Sequence, residues 1–417
     1  MQFDAKQREA IDLCLDPKNR IVAITGEAGT GKTKIMEEIY ESLHRSGVSV
    51  VATSPTGKGA RRIKEATGID AITNHRLLEY PKPKERDENG DALIPGVPKR
   101  NRSRPIDFQV VLADEYAMQN DEIHRNLIAA LPPGGRICMF GDANQLRPVE
   151  NNKSLQGEPS NFERILADKR FKSVKLETLH RTDESSIIAR NGRRILMGMP
   201  PLKADNYNMT VTDKPVESLL QLVGKQKEIW GTLKSQIVVP SRMSWIGTDK
   251  INAALQQHVF QRDVDYRKGF WLPRHKWAKA QVNLYIGDKI IFTQNNYDLN
   301  LFNGEVGIVL DIAPCGDVTT DFGDREVIIP YHQTVTISKN QQVTICPLKD
   351  IELAYAITTH KTQGSEYSHI LYLMNKSVSF LCNRRNFYTA ETRARESVTV
   401  ITDNVALSKS LNDKGDR

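Results

Sequence analysis

At 417 residues the chain is long enough for two to four domains with ordinary cores, which argues against a single small binding module. Lys plus Arg outnumber Asp plus Glu by 58 to 51, and the resulting charge of +7 and pI near 9.0 favour a polyanionic partner without naming one. Five scattered cysteines without CxxC or Cys/His metal spacing read as reduced thiols and no zinc site, and no apolar run reaches the roughly 20 residues of a membrane span.

The first ten residues hold no signal-peptide apolar region, so a cytosolic protein is expected. Within the segment Asp4 to Ile11, residue pattern alone makes Gln7 a solvent-facing position of an amphipathic helix. Arg20 to Thr25 reads as a short buried strand, followed by a Gly-rich turn and a helix on which Ile35, Ile39 and Leu43 recur every four residues. Apolar runs at Val48 to Ala52, Val110 to Ala113 and Ile137 to Phe140 each end in polar or Gly-containing turns, as parallel strands do where ligands gather at their C-terminal edge. Residues 80–105, rich in Pro, Lys and Arg and containing Asn89-Gly90, are too polar for a core strand and are expected to form an inserted surface hairpin. A second, discontinuous α/β unit is traced through Gln236 to Val239, Ile370 to Met374 and Val398 to Thr402. Between its parts, alternating segments punctuated by Asn303-Gly304 and Cys315-Gly316 suggest a small β-barrel insertion, and the last residues, Ser408 to Arg417, are polar and expected to fray.

The run Gly26-Glu27-Ala28-Gly29-Thr30-Gly31-Lys32-Thr33 has the GxxxxGK[ST] form between strand and helix. Its glycines let backbone N–H groups wrap phosphates, Lys32 neutralises the β and γ oxygens, and Thr33 offers an oxygen to Mg²⁺. Val110 to Ala113 delivers two adjacent carboxylates, Asp114 to hold the metal and Glu115 to orient or deprotonate an attacking water. Such an Asp-Glu pair is common, and its weight comes from the phosphate loop upstream. Loop and pair together still describe transporters, kinases and many other nucleotide hydrolases.

Gly141-Asp142-Ala143-Asn144-Gln145-Leu146-Arg147-Pro148-Val149 then resembles the third motif of superfamily 1 helicases, with Gln145 placed to meet the γ-phosphate. From Gln7 to Glu396 the chain resembles the RecD-like and Dda-like group, superfamily 1B, whose members travel 5′ to 3′. The resemblance implies that Gln7 recognises adenine and that Gly26, Gly29, Thr30, Gly31, Lys32 and Thr33 cradle ATP. It also implies single-strand contacts by Pro55, Thr56 and Lys58 of Ser54 to Lys58 and by Thr73 and His75 of Thr73 to His75. Physically these offer hydroxyl, backbone and cationic donors to phosphates, which position a strand without reading its sequence. Leu179-His180-Arg181-Thr182 resembles the motif whose arginine reaches the γ-phosphate from the opposite domain. Ala354 to Glu366 is similar to the fifth motif, implying strand contacts by Thr359 and His360 and nucleotide contacts by Gln363, Gly364 and Glu366. Tyr388 to Arg395 resembles the sixth motif, with Arg393 as an arginine finger. Two departures from the family pattern are Tyr116, where a small residue is usual, and Glu391, where an apolar one is. The Asn89-Gly90 tip carries no aromatic residue, so no strand-separating pin residue is named.

The implied architecture is α/β, with two RecA-like P-loop motor domains carrying a small inserted hairpin and an SH3-like β-barrel. The first motor is expected at 1–79 and 106–175 with the hairpin at 80–105, the second at 176–280 and 344–404 with the barrel at 281–343, and a polar tail at 405–417. The implied activity is ATP- and Mg²⁺-dependent 5′ to 3′ unwinding, with ATP bound between the motors. The alternative is a single-strand translocase that strips proteins or remodels forks with weak unwinding. Expected partners are single-stranded and fork DNA, with replication or recombination proteins possible and a monomer as the working state, in the cytoplasm of a bacterium or a phage-infected host.

Overall fold

A computed structural model of the chain describes residues 3–81, 96–148, 150, 157–178, 186–260, 270–271, 283–338 and 341–415. It divides into two compact units, one running to Ser186 and the other from Ile187 to Gly415.

The first unit is built on a six-stranded parallel sheet of β1 (Ile21–Gly26), β2 (Val50–Ser54), β3 (Ala71–Thr73), β4 (Val110–Ala113), β5 (Arg136–Gly141) and β6 (Lys172–Leu176), in the order β3-β2-β4-β5-β1-β6. The central strands are apolar throughout because helices cover both faces; every residue of β4 and β5 is buried. β6, at the sheet's edge, instead alternates, with Val174 and Leu176 inward and Lys172, Ser173 and Lys175 in solvent, where lysines discourage further strand pairing. Around the sheet lie α1 (Ala5–Leu15), α2 (Lys32–Arg45), α3 (Gly57–Thr67), α4 (Asn74–Leu77), α5 (Asp121–Ala130) and α6 (Asn161–Ala167). The four-residue spacing on α2 buries Ile35, Ile39 and Leu43 as expected, with Met36 beside them. Because all six strands are parallel, the phosphate loop, the Asp-Glu pair and the Gly141 to Gln145 turn leave one edge from the adjacent strands β1, β4 and β5.

The second unit has its own five-stranded parallel sheet of β7 (Tyr207–Val211), β8 (Ser235–Val239), β18 (Ala356–Thr358), β19 (Tyr367–Leu373) and β20 (Ala394–Thr402), in the order β18-β8-β19-β20-β7. Its helices are α7 (Ile187–Leu196), α8 (Pro215–Lys225), α9 (Lys227–Trp230), α10 (Thr248–Leu255), α11 (Thr359–Thr362), α12 (Arg384–Glu391) and α13 (Asn404–Asn412). Inserted between β8 and β18 are the short pair β9 (Phe270–Trp271) and β10 (Asn283–Leu284), the strands β11 (Lys289–Phe292), β12 (Val306–Ile312), β13 (Val318–Asp321) and β14 (Glu326–Ile329), a hairpin of β15 (Gln333–Ser338) and β16 (Gln341–Ile345), and β17 (Ile351–Leu353). β11 to β14 and β17 form one antiparallel sheet in the order β14-β13-β12-β11-β17.

Three boundaries differ from expectation. The units divide after Ser186 rather than after residue 175, and β6 itself runs through Leu176 on the first sheet. The insertion's sheet continues past residue 343, since β17 pairs with β11. The expected fraying tail contains α13, capped by Asp403 accepting from the Ala406 N–H and burying Ala406, Ser410 and Leu411, so its few inward positions suffice to hold it. Of the hairpin at 80–105, residues 82–95 with the Asn89-Gly90 tip lie outside the described residues; Arg100 near its base is clamped by Glu79 and Asp107 at 2.6 and 2.7 Å.

Insertion and sheet meet at the motif Gly287-Asp288-Lys289. Lys289 is fully buried and donates to the carbonyls of Thr232 at 2.8 Å and Ser235 at 2.5 Å. Asp288 accepts from Tyr355 Oη (2.7 Å), Gln256 Nε2 (2.6 Å) and the Tyr285 N–H (2.9 Å), three donors that oppose the burial pushing its pKa up to about 6.

Candidate functional site

β1 ends at Gly26, and the loop to α2 turns through two left-handed glycines, Gly29 (φ 89°) and Gly31 (φ 85°), a conformation that side chains resist. Gly26 is needed for a second reason: a Cβ there would lie 2.5 Å from Thr30 Oγ1 and 3.0 Å from Leu176 Cβ. Thr30 is buried, its hydroxyl donating to the Glu27 carbonyl at 2.9 Å. Lys32 curls back onto the loop, donating to the carbonyls of Gly26 (2.6 Å) and Glu27 (2.9 Å). Thr33 follows it, half-buried in the first turn of α2.

Asp114 leaves β4 with its N–H donating to Thr53 O at 2.8 Å. Burial and the neighbouring Glu115 charge push its carboxyl up to about 6, against the pull of the Glu115 N–H, Lys32 and Arg62. Glu115 has φ 50° and ψ 36°, a left-handed backbone that costs a non-glycine residue about 1 kcal/mol or more and is concentrated at functional sites. Gln145, 5 % exposed, is held in a turn by its N–H to the Asp142 carbonyl, while Ala143 N–H donates to Thr25 Oγ1 at the end of β1. Thus Lys32, Thr33, Asp114, Glu115 and Gln145 gather at one sheet edge, joined by Arg62 of α3, which no sequence motif had marked.

Gln7 is not the solvent-facing residue that its helix pattern suggests. It is 3 % exposed and forms a capping box with Asp4, its Oε1 accepting from the Asp4 N–H at 3.1 Å while Nε2 donates to the Thr30 carbonyl at 3.2 Å.

The expected strand-contacting segments of this unit follow β2 and β3. Thr56 caps α3, accepting from the Gly59 N–H at 3.0 Å, with Pro55 and Lys58 half-buried beside it. A Cβ at Gly59 would collide with Ser54 Oγ, which fixes how closely α3 approaches the strand end. Thr73 caps α4 and His75 is exposed, its ring 5.0 Å from that of Tyr80. Between them Asn74, wholly buried, donates to Gln119 Oε1 at 2.5 Å. That bond joins the segment after β3 to the turn that carries the Asp-Glu pair.

In the second unit the fifth-motif segment caps α11 with Thr358, accepting from the Lys361 N–H at 3.4 Å, and turns at Gly364 (φ 72°). Thr359, expected to touch a strand, has no side-chain exposure: its hydroxyl donates to Asn386 Oδ1 at 2.7 Å, which also accepts from Tyr372 Oη at 3.0 Å. Its side chain is therefore an internal tie among α11, α12 and β19. His360 is half-buried, its pKa lowered by desolvation, and Gln363 is 7 % exposed. Glu366 receives Arg395 through Nε at 2.8 Å and Nη2 at 2.7 Å. Arg393 is 2 % exposed with only long contacts, to Ser365 O at 3.5 Å and Thr392 Oγ1 at 3.4 Å, and its Nε has no partner among the described residues. Arg181 lies outside the described residues.

Residues 2–210, half the chain, match the family model described as an AAA domain, and residues 353–401 match a UvrD-like helicase C-terminal domain. The chain belongs to the AAA-domain family, in the RecD-like branch of the superfamily 1 helicases. It is 29 % identical over 381 residues to the ATP-dependent RecD2 DNA helicase of Deinococcus radiodurans, covering 91 % of this chain and 46 % of that protein. It is 26 % identical over 438 residues to the RecBCD enzyme subunit RecD of Mycolicibacterium smegmatis, covering 95 % and 70 %. The chain thus spans about half the length of the first relative and about two thirds of the second. Among solved structures, Pif1 helicase from Bacteroides in complex with ADP-AlF3 and single-stranded DNA aligns with a TM-score of 0.59 at 20 % identity over 96 % of this chain and 92 % of that one. Pif1 from Candida albicans aligns at 0.58 and 18 % over 97 % and 95 %. These two share the fold.

Both departures from the helicase pattern are internal substitutions. Tyr116 is buried against Phe162, and its hydroxyl pairs with His124 Nδ1 at 2.8 Å, where burial lowers the imidazole to about 4. Glu391 is wholly buried between α12 and α7, hydrogen-bonded by Tyr207 Oη at 2.5 Å, and burial raises its pKa well above the usual range. A Cβ on Gly192 would come within 3.0 Å of its Oε1.

Proposed function

We propose that the chain is an ATP-dependent DNA helicase that translocates 5′ to 3′ on single-stranded DNA and unwinds duplex ahead of it. The observation that carries this reading is the buried Asn74–Gln119 bond, which ties a strand-contacting segment to the turn bearing Asp114 and Glu115. A nucleotide-driven shift of that turn then reaches the strand contacts through one short, desolvated link. The name of the Deinococcus relative, an ATP-dependent DNA helicase, supports the helicase part of this reading.

In this reading the phosphate loop, Gly26 to Thr33, cradles the ATP phosphates and Lys32 balances their charge. Thr33 and Asp114 fit a hard divalent cation: both are oxygen donors, and two are enough when phosphate oxygens and water complete an octahedron. Bound there, Mg²⁺ would supply charge neutralisation to the phosphates. Glu115 orients the attacking water, Gln145 senses the γ-phosphate, and Gln7 reads the base. Arg393 and Arg181 are the guanidiniums assigned to the charge of the transferring phosphoryl group, and Gln363, Gly364 and Glu366 are assigned to the nucleotide. Pro55, Thr56, Lys58, Thr73, His75 and His360, with the backbone at Thr359, are assigned to the DNA. The two units then correspond to two motor domains, working as a monomer on fork DNA in the cytoplasm. Among the described residues no helix is long and apolar enough to cross a membrane.

Strand displacement on matched duplexes with a 5′ or a 3′ single-stranded tail tests the reading, with Lys32→Ala as control. Unwinding from the 5′ tail alone, lost in the variant, is the expected result. Unwinding from the 3′ tail alone overturns the direction. DNA-stimulated ATP hydrolysis without displacement on either substrate shifts the assignment to a translocase that clears proteins from single strands.

A further inference from the structure

β8 leaves the second sheet at Val239, and the loop after it sorts its side chains by face. Ile246 is fully buried, whereas Met243 is 78 % and Trp245 72 % exposed. The turn beneath them is tightly made. Gly247 N–H donates to Ser244 O at 2.9 Å and Thr248 N–H to Ser241 O at 3.2 Å, and a Cβ at residue 247 would collide with the Arg242 carbonyl oxygen. A closed turn anchored by a buried isoleucine holds Trp245 outward at little further entropic cost, so its indole is presented to solvent by a preorganised scaffold.

One cation lies against that ring, and an ion-pair network ties the same loop to a neighbouring segment. Lys250 Nζ sits 4.1 Å from the indole centroid, a cation–π contact, and has no ion pair among the described residues. Arg242 binds Glu352 at 2.9 Å and lies 3.6 Å from Asp249, while Lys361 binds the other oxygen of Glu352 at 2.8 Å. Glu352 therefore bridges this loop to the segment containing Thr358 to Gln363. Because β8 and β18 are parallel neighbours, both loops also leave the same edge of the sheet.

We infer that Trp245 is a stacking platform for a base of single-stranded DNA, with Lys250 covering one face of the indole and serving the adjacent phosphate. An exposed aromatic beside an ammonium that has no ion pair among the described residues fits a nucleobase with its backbone charge better than an apolar protein surface, which would offer that ammonium no counter-charge. Stacking of this kind tolerates any base, as a protein moving along a strand requires. The inference rests on the DNA-translocating function proposed above and adds a contact that none of the helicase motifs supplies.

Fluorescence anisotropy with labelled oligo(dT), and with an abasic strand of equal length, tests it. Trp245→Ala should weaken oligo(dT) binding about tenfold, with Trp245→Phe within about threefold of wild type and both variants melting as wild type does. The abasic strand should bind the Ala variant and wild type alike. Lys250→Ala should lower the salt dependence of log Kd by about one phosphate contact. Oligo(dT) binding by Trp245→Ala equal to that of wild type overturns the platform alone. Absence of oligo(dT) binding by wild type overturns the DNA reading together with it, leaving the indole to a protein partner.

Discussion

Lys32 and Asp114 in the first unit are half-buried, while Thr359 and Arg393 in the second are 0 % and 2 % exposed, although all four lie in helicase motifs. The first unit keeps Lys32, Thr33 and Asp114 partly accessible at one sheet edge, on left-handed backbone at Gly29, Gly31 and Glu115, while Gln7, Thr30 and Gln145 beside them are buried. In the second unit much of the motif chemistry is spent internally. Thr359 holds Asn386, Glu366 holds Arg395, and Glu391 holds Tyr207. In these three cases the motif side chain is a tie that shapes the backbone around it.

Arg393 is the position where this contrast breaks most sharply. Its guanidinium is buried yet bonded only at 3.4 Å and beyond, which does little for stability and leaves its charge for another use. Arg393→Ala should lower DNA-stimulated ATP turnover by about 10³-fold while leaving the urea unfolding midpoint near wild type. Turnover at the wild-type level would reclassify it with the internal ties. Thr359→Val should behave in the opposite sense. It removes one donor to Asn386 and should cost about 1 to 2 kcal/mol in urea unfolding, with oligo(dT) affinity within about twofold of wild type. A large loss of affinity without loss of stability would return Thr359 to the strand-contacting set.

Glu391→Gln is the smallest test and reads as a slope. Burial holds this carboxyl protonated in the folded unit, with a pKa raised above its unfolded value near 4.3. The folded state then binds the extra proton between those two values, so this group's contribution is complete below about pH 4 and is lost as pH rises toward the folded pKa. The stability of wild type relative to Glu391→Gln should therefore fall from pH 5 to pH 8. Parallel profiles would mean that the carboxyl is ionised in the fold.

What the sequence made legible follows the range of the interactions involved. The phosphate loop could be read because Gly26, Gly29 and Gly31 are demanded by local backbone geometry within a few residues. The alternation of strands and helices likewise exposed both parallel sheets. Gln119 was silent because its partner Asn74 lies 45 residues away and neither amide has a signature. The membership of β17 was hidden because Ile351 to Leu353 runs directly into the apolar stretch of β18, and only pairing with β11 separates them. Trp245 escaped notice for the converse reason: one exposed aromatic has no periodicity, and its setting arises from Glu352, more than a hundred residues on.

The amide of Gln7 has a last consequence. Asp4 N–H requires its oxygen and the Thr30 carbonyl requires its nitrogen, so the group cannot rotate by half a turn without breaking both. One N–H and one lone pair are left over, fixed in handedness. Adenine offers the complementary pair, an acceptor at N7 and a donor at N6, whereas guanine offers acceptors at both N7 and O6, which one N–H and one lone pair cannot satisfy together in either orientation of the amide. If Gln7 reads the base as proposed, the hydrogen bonds that begin a helix predict a preference for ATP over GTP.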